Sequence, residues 1–453
     1  MTLLQTLEYQ VMSLLFFFNR KSHFAVVGSG PSGFYCAQKL LQTPNTKVDI
    51  FEKLPFPYGL SRYGVAPDNQ DVKKCKHDFR KVLRDENVRF FGNVEVGKEF
   101  QVEDLKKYYN GVVLADGAER QRLLGIPGDQ YAISSVDFTR WYNKHPDYLN
   151  RSFDIGRNVA IIGNGNVSLD IARMLLFPDT LDATDINEDA LKVLKMANVQ
   201  RVTIFGRRTA LHTSMTAIEL RPFLFKPLNF KIHRKDMETA KPWVSQFPRI
   251  IKRVNEIFVK MAVKLHNTEA KKCLEFRFLT NPHSITQLGK FKHSVNFQIQ
   301  HLDGSKMGVR SLKIIPTKSH EVLTFDTVFS SIGSTSSPLP GISSYASILG
   351  EPCDSDERVF CTGWNRSDGK GVIAQSLTDA HFVANNLRQF PSIKNSQAII
   401  NKNARELFIS SLKHVISKED WDSAELYEKK VTSKTRKLYK ISNLEEMKEI
   451  LKN

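Results

Sequence analysis

The residues with the plainest chemical purpose stand in two short loops. Gly28, Gly30 and Gly33 lie in VVGSGPSGFY, and Gly163, Gly165 and Ser168 lie in IIGNGNVSLD. The spacing G-x-G-x-x-G, or its variant with a small third residue, suits a pyrophosphate. The first glycine permits a tight turn, the second lets backbone approach the phosphates, and the third lets a helix close on a strand. Amides at the start of the following helix then face the anion. What comes after each loop differs. The next strand after the first loop ends at Glu52, 24 residues beyond Gly28, where a carboxylate can accept from a ribose hydroxyl. The next strand after the second loop ends at Gly206-Arg207-Arg208. A carboxylate there would repel a 2′-phosphate, whereas two guanidiniums bind one, and one of them can stack on adenine. An isolated Arg-Arg pair is ordinarily a solvated strand end; its position after the loop gives it meaning. These residues predict FAD at the first site, NADPH at the second, and hydride transfer to a flavin between them.

Such loops need a strand before them and a helix after them. Phe24–Val27 reads as a strand, about Ser32–Leu41 as a helix, and Lys47–Phe51 as the next strand. The stretch 53–69 (KLPFPYGLSRYGVAPDN) reads as an ordered loop, Val72–Leu83 as a basic helix, and Arg89–Val96 as short strands. The second unit runs from a strand at Val159–Ile162 through the helix VSLDIARMLL to the strand RVTIFGRR, with a polar helical insertion at Thr180–Ala197. A basic helix follows at 240–265, strands and turns at 275–330, and a helix at Gly371–Leu387. Strand–glycine signals resume in FDTVFSSIGS and VFCTGW. The expected fold class is therefore α/β: two doubly wound Rossmann-like nucleotide-binding domains, the NADP domain inserted into the FAD domain. The expected boundaries are 1–22 for an N-terminal extension, 23–118 with 325–453 for the FAD domain, and 119–324 for the NADP domain.

Composition narrows the function. With 453 residues, two or three domains are expected. The charge is basic, 65 Lys+Arg against 48 Asp+Glu, formally +17, which favours an acidic partner or an anionic cofactor. Zinc-finger spacing, an aromatic RNP-type run and a recognition-helix signature are all missing from the sequence, which argues against nucleic acid. The five cysteines, Cys36, Cys75, Cys273, Cys353 and Cys361, form no CxxC, which argues against a disulfide scaffold, a zinc ribbon and a redox-active dithiol, and no metal site is expected. The apolar run Val11–Phe18, followed by Arg20 and Lys21, is too short to span a bilayer and makes the first 22 residues only a fair organelle-targeting peptide.

The chain resembles the adrenodoxin reductase family, the mitochondrial NADPH:adrenodoxin/ferredoxin oxidoreductases of the glutathione-reductase-like type. The resemblance rests on VVGSGPSGFY, VDIFEKLPFPYGLSRYGVAPD, GNVEVG, IIGNGNVSLDIARMLL, FGRRTALHTSMTAIELR, SSIG and CTGW…GKGVIAQSLTDA, and on EDW and NLEEMKEIL near the end. It covers nearly the whole chain from about residue 24. It implies an enzyme that takes hydride from NADPH onto FAD and passes single electrons to a [2Fe–2S] ferredoxin. By position it implies FAD contacts at Ser32, Glu52, Leu60, Val96, Trp364, Gly371, Val372 and Ile373. NADP contacts are implied at Asn164, Gly165, Asn166, Val167, Arg207, Arg208 and Gly371, with Glu219 and Asp170 near the nicotinamide. It further implies a monomer, a mitochondrial location in the matrix or on the matrix face of the inner membrane, and peripheral association with that membrane.

A third site follows from the basic helix. Lys252, Glu256, Lys260 and Lys264 recur at i+4 and share one face, and Arg249 and Arg253 form a neighbouring stripe. Such a face is either merely solvated or a dock for an acidic ferredoxin. Arg221, Arg249 and Arg253 match family positions for ferredoxin contact. Three positions depart from the family pattern. Asn69 stands where a histidine follows GVAPD, Asp368-Gly369 stands in place of Gly-Pro, and Ala115-Asp116 in place of Ser-Tyr. Asn69 can hydrogen-bond but cannot change charge near neutral pH. Three other readings share the two loops: a thioredoxin-reductase-like disulfide reductase, which needs a dithiol, a flavin-dependent NADPH monooxygenase, and a non-enzymatic NADPH-binding regulatory protein.

Overall fold

The computed structural model describes residues 21–233, 236–238, 241–263, 270–303, 313–345, 348–396 and 401–452. The targeting-like segment thus lies almost wholly outside the described residues, as does Lys264. The chain divides into two compact units. The first comprises the residues up to Val65, Asn69–Arg120 and Ser334–Asn453; the second comprises Ala66–Asp68 and Gln121–Gly333.

In the first unit five parallel strands lie in the order Val359–Cys361, Gly111–Leu114, Ser22–Val27, Thr46–Glu52, Val88–Gly92. Strands of an all-parallel sheet are covered on both faces and read as continuous apolar runs. Phe24, Ala25, Val26, Val112, Val113 and Leu114 are accordingly all buried. The helix Pro31–Leu41 starts on a proline, which lacks the amide that a first turn leaves unpaired anyway. It buries Phe34, Ala37 and Leu40 and packs against the helix Ile373–Asn386. Phe34 stacks on Phe79 with ring centroids 5.1 Å apart, and truncating such a buried phenylalanine to alanine costs about 3–5 kcal/mol.

In the second unit six parallel strands lie in the order Ile133–Ser134, Thr327–Ser330, Asn158–Ile162, Arg201–Phe205, Cys273–Arg277, Asn229–Ile232. An antiparallel sheet of Thr280–Gly289, Lys292–Asp303 and Lys313–Phe325 accompanies them. The helix Asn166–Leu176 buries Leu169, Ala172 and Leu176 in the core with Val159, Val202 and Phe276.

Some elements are shorter than their sequence pattern predicts. Within Thr180–Ala197 only Glu188–Ala197 is α-helical, starting where the Asn187 side chain accepts from the Asp189 amide. Pro178 opens a separate 3₁₀ turn, Pro178–Leu181. Residues 240–265 contain the 3₁₀ helix Lys241–Gln246 and the α-helix Arg249–Val263, separated at Pro248, because a proline disfavours helix in the residue before it. The basic stretch 72–83 divides into Gln70–Lys73 and Lys76–Leu83.

Candidate functional site

Each glycine loop leaves its sheet where two neighbouring strands are connected in opposite directions, the place where doubly wound sheets bind ligands. In the first unit Ser22–Val27 lies between Thr46–Glu52 and Gly111–Leu114. Gly28 has φ +101°, and a Cβ there would lie 2.5 Å from the Ala115 carbonyl oxygen. A Cβ on Gly33 would lie 2.0 Å from the Gly28 carbonyl oxygen, so only glycine lets the helix close on the loop. A Cβ on Gly30 would meet nothing within 4 Å; this is the position whose bare backbone can face a pyrophosphate.

The Glu52 carboxylate is buried and held from three sides. Its Oε2 accepts from the Ser29 amide at 2.9 Å and hydroxyl at 2.6 Å, and its Oε1 accepts from the Leu54 amide at 2.9 Å. Burial raises its pKa, and the Ser29 and Leu54 hydrogen bonds oppose that rise. An ionised carboxylate oxygen accepts twice, so Oε1 keeps one lone pair for a ribose hydroxyl. The remaining expected residues gather round this loop. The Tyr58 amide donates to the Ser29 carbonyl, and a Cβ on Gly59 would lie 2.9 Å from Gly30 Cα, which sets Leu60 beside the loop. The Val94 amide donates to the Glu52 carbonyl, which brings the segment to buried Val96 alongside. A Cβ on Gly363 would lie 1.9 Å from Ser32 Oγ, so Trp364 begins directly against that helix. Trp364 Nε1 donates to the Gly371 carbonyl at 3.2 Å, tying it to Gly371-Val372-Ile373 at the start of the helix Ile373–Asn386. These residues suit a flavin dinucleotide: a bare-backbone cradle, an anchored carboxylate, and an aromatic beside a helix N-terminus.

In the second unit the same geometry recurs. Gly163 has φ +124°, and a Cβ there would lie 2.0 Å from the Ser331 carbonyl oxygen. Ser168 at the third position is fully buried; its Oγ donates to the Gly163 carbonyl at 2.7 Å and bonds Ser331 Oγ at 3.0 Å. The hydroxyl therefore uses the small-residue position to brace the loop. Asn164 and Asn166 are fixed from outside: Thr213 Oγ1 donates to the Asn164 carbonyl and the Thr216 amide to Asn166 Oδ1, both at 2.8 Å. Val167 is partly exposed on the first turn of the helix whose N-cap is Gly165. Arg207 and Arg208 are both exposed, and neither pairs with a carboxylate among the described residues. Burial and the Arg207 charge lower the Arg208 pKa, the mark of a cation pair that an anion would relieve. This is the donor set a 2′-phosphate needs.

Sequence reading missed the centre of the carboxylate cluster. Arg173 is buried; its Nε lies 2.5 Å from Asp68, Nη2 2.7 Å from Asp170 and Nη1 3.7 Å from Glu219. One guanidinium thus faces three carboxylates. Burial is the largest cause that raises the Asp170 pKa to about 7; Glu219 and Asp68 add to it and Arg173 opposes it. Near neutral pH Asp170 can therefore hold a proton. The i,i+3 spacing of Asp170 and Arg173 was the one local signal, since Asp68 comes from far along the chain. Also missed was His212, whose Nδ1 lies 2.8 Å from Thr209 Oγ1 and whose pKa is lowered by burial and by Arg208.

Comparison with known proteins follows the same lines. Residues 22–219 match the pyridine nucleotide-disulphide oxidoreductase family model. The human mitochondrial NADPH:adrenodoxin oxidoreductase is 35% identical over 384 residues, 80% of this chain and 78% of that protein. The NADPH-ferredoxin reductase FprA of Mycobacterium leprae (strain TN) is 34% identical over 393 residues, 81% of this chain and 83% of that protein. This chain belongs to the NADPH:adrenodoxin oxidoreductase family. The structure of Mycobacterium tuberculosis FprA in complex with NADPH superposes with a TM-score of 0.88 at 29% identity, covering 96% of this chain and all of that one.

Against the family pattern, two of the three departures have clear local consequences. Asp116 accepts from Tyr345 Oη at 2.9 Å and Asn365 Nδ2 at 2.9 Å, and desolvation raises its pKa to about 6. Asp368 takes a left-handed conformation, φ 53°, and accepts from Thr335 Oγ1 at 2.7 Å and the Ser336 amide at 3.1 Å. The loop after Trp364 is thus fastened by a carboxylate where a proline would stiffen it. Asn69 occupies the N-cap position of Gln70–Lys73 without a side-chain capping bond. On the basic helix, Arg249 and Arg253 are exposed and make no ion pair among the described residues. That helix buries Val254, Ile257, Phe258 and Met261, which leaves Arg253, Glu256 and Lys260 outward. The short helix Ala217–Leu220, which exposed Arg221 follows, packs against it.

Proposed function

We propose that this protein is a FAD-containing NADPH:ferredoxin oxidoreductase that carries electrons from NADPH to an acidic, adrenodoxin-like [2Fe–2S] ferredoxin. The observation that carries the reading is the contrast between two like cradles: one backed by the anchored Glu52 carboxylate, the other by the Arg207–Arg208 pair, which meets no carboxylate among the described residues. Membership of a family whose curated members are named for this activity supports it. FAD, when bound, supplies a hydride acceptor that releases its electrons singly, as a one-electron acceptor requires.

The protein's own residues bind and orient. In this reading Gly28, Gly30, Ser32 and Gly33 bring amides to the FAD pyrophosphate, and Glu52 Oε1 takes a ribose hydroxyl. Leu60, Val96, Trp364 and Gly371-Val372-Ile373 bound the ring system. Gly163-Asn164-Gly165-Asn166-Val167 cradle the NADP pyrophosphate, Arg207 and Arg208 take the 2′-phosphate, and Asp170 and Glu219 belong to its nicotinamide end. Asp170 is the group that holds a proton there, a role Asn69 cannot take. Arg221, Arg249 and Arg253 dock the ferredoxin. In this reading the protein works as a monomer in mitochondria, in the matrix or peripherally associated with the matrix face of the inner membrane; relatives named as mitochondrial support the organelle.

The deciding experiment is a visible spectrum of the purified protein, an anaerobic NADPH titration, and cytochrome c reduction with and without an acidic [2Fe–2S] ferredoxin. A flavin spectrum bleached by NADPH, with cytochrome c reduction that requires ferredoxin, is the expected result. Colourless protein, or cytochrome c reduction indifferent to ferredoxin, refutes the proposal.

A further inference from the structure

Cys353 and Cys361 are eight residues apart, a spacing that sequence reading passes over when it looks for CxxC. In the first unit a turn brings them together. Pro352 bridges Phe360 in antiparallel register, and the Cys353 amide donates to the Val359 carbonyl at 2.8 Å. Asp354 sets the turn, its Oδ1 accepting from the Arg358 and Val359 amides, each at 2.9 Å, while Lys106 Nζ lies 3.0 Å from its Oδ2. The two Sγ atoms lie 3.0 Å apart. That is inside the roughly 3.5–4.0 Å at which non-bonded heavy atoms attract best, and about 1 Å from the ~2.05 Å of a disulfide bond. Cys361 is buried at the end of the strand Val359–Cys361; Cys353 is half-buried and reaches the surface. The adjoining Cys353 sulfur and burial both push the Cys361 thiol pKa well up.

We propose that Cys353 and Cys361 form a reversible dithiol–disulfide site, separate from the residues assigned to FAD and NADPH, that takes hydroperoxides as its oxidant. Cys353, as the more exposed sulfur, attacks the outer oxygen of the hydroperoxide. The O–O bond breaks, an alcohol (or water, from hydrogen peroxide) leaves, and Cys353 becomes a sulfenic acid. The Cys361 sulfur then attacks Cys353 Sγ, water leaves, and the S–S bond forms. In sum two thiols lose two electrons and two protons to one hydroperoxide, and an external dithiol returns them. Because the turn already holds both sulfurs, closure needs only side-chain movement. The bond would clamp an edge strand of the five-stranded sheet whose continuation, through Gly363, rests on Ser32.

Arg358 lies between the two cysteines, so trypsin separates them into Ser319–Arg358 and Val359–Arg366, each with a single cysteine. Full-length protein with its flavin bound is treated with one equivalent of hydrogen peroxide, blocked with iodoacetamide and digested without reductant. The expected product is the cross-linked pair of these peptides, two hydrogens lighter than their sum, lost on treatment with dithiothreitol. In the variants Cys353→Ser and Cys361→Ser the pair is absent, and in the second a sulfenic-acid probe labels Cys353. Recovery of both wild-type peptides carrying the alkyl group on Cys353 and Cys361 overturns the proposal without reference to any variant's folding, and so does cross-linking of either cysteine mainly to Cys36, Cys75 or Cys273.

Discussion

Arg207 and Arg208 contribute two positive charges that no carboxylate answers among the described residues. Charge-assisted hydrogen bonds are worth roughly 1.5–3 kcal/mol each, and only NADPH offers the 2′-phosphate that forms them. Replacing both arginines by alanine should narrow the preference for NADPH over NADH by on the order of 10²-fold in kcat/KM. An unchanged preference would refute their assignment to the phosphate. A second expectation concerns Asp170, whose pKa is raised from 3.8 to about 7. The groups facing it are Arg173, Glu219, Asp68 and buried Tyr142. Because the folded-state pKa is the higher, the folded protein keeps a proton that the unfolded chain gives up. The resulting stabilisation is complete below about pH 3.8 and disappears as pH rises through about 7. Asn at this position mimics the protonated acid at every pH. Urea unfolding across that window should therefore show stability falling with pH in the wild type relative to Asp170→Asn, with the two curves converging toward the acid end. Parallel curves would mean that Asp170 does not hold the proton.

At the scale of elements, the basic helix Arg249–Val263 presents charge on a frame fixed by Val254, Ile257, Phe258 and Met261. Reversing exposed charges leaves that frame alone and acts on encounter with an acidic partner. Arg249→Glu with Arg253→Glu should lower kcat/KM for ferredoxin-dependent cytochrome c reduction by at least on the order of tenfold, and flatten its salt dependence, while ferricyanide reduction is spared. Equal losses in the two assays would remove the docking assignment. What the sequence made legible at this scale was local: a strand, a glycine loop, a helix start and the residue ending the next strand lie within one short stretch, and each has its own chemical signature. Contacts that depend on chain return were not legible. Asp68 meets Arg173 across 105 residues, and nothing in GVAPD points to it. Cys353 and Cys361 meet because Asp354 folds the turn between them, which no cysteine spacing rule encodes. Helix lengths suffered from a subtler effect: polar periodicity runs on through 180–187 and across Pro248, but caps and proline geometry decide where helices start.

In the whole molecule, two units each enclose a core of their own. One core gathers Val159, Leu169, Val202, Phe258 and Phe276 in the second unit; another gathers Phe24, Phe34, Val113, Val383 and Trp421 in the first. The chain passes from the first unit into the second at Arg120–Gln121 and returns at Gly333–Ser334. Each unit closes its cradle with its own strands: Ala115 seats Gly28, and Ser331 seats Gly163. A ligand that binds one cradle should stabilise the unit whose core supports it, by RT ln(1 + [L]/Kd), about 2.7 kcal/mol at a hundredfold excess over Kd. Adenosine 2′,5′-bisphosphate carries the 2′-phosphate and the adenosine-side 5′-phosphate without the nicotinamide, so it addresses the Arg207–Arg208 pair and its glycine loop but not the nicotinamide end. Native-state hydrogen exchange should show the strands Asn158–Ile162 and Arg201–Phe205 protected by about that amount, with Ser22–Val27 and Thr46–Glu52 unchanged. Equal protection in both sheets would mean that the two cores unfold as one cooperative body. Protection confined to the first unit would place the 2′-phosphate in the Glu52 cradle and overturn the division of cofactors from which the proposed reaction follows.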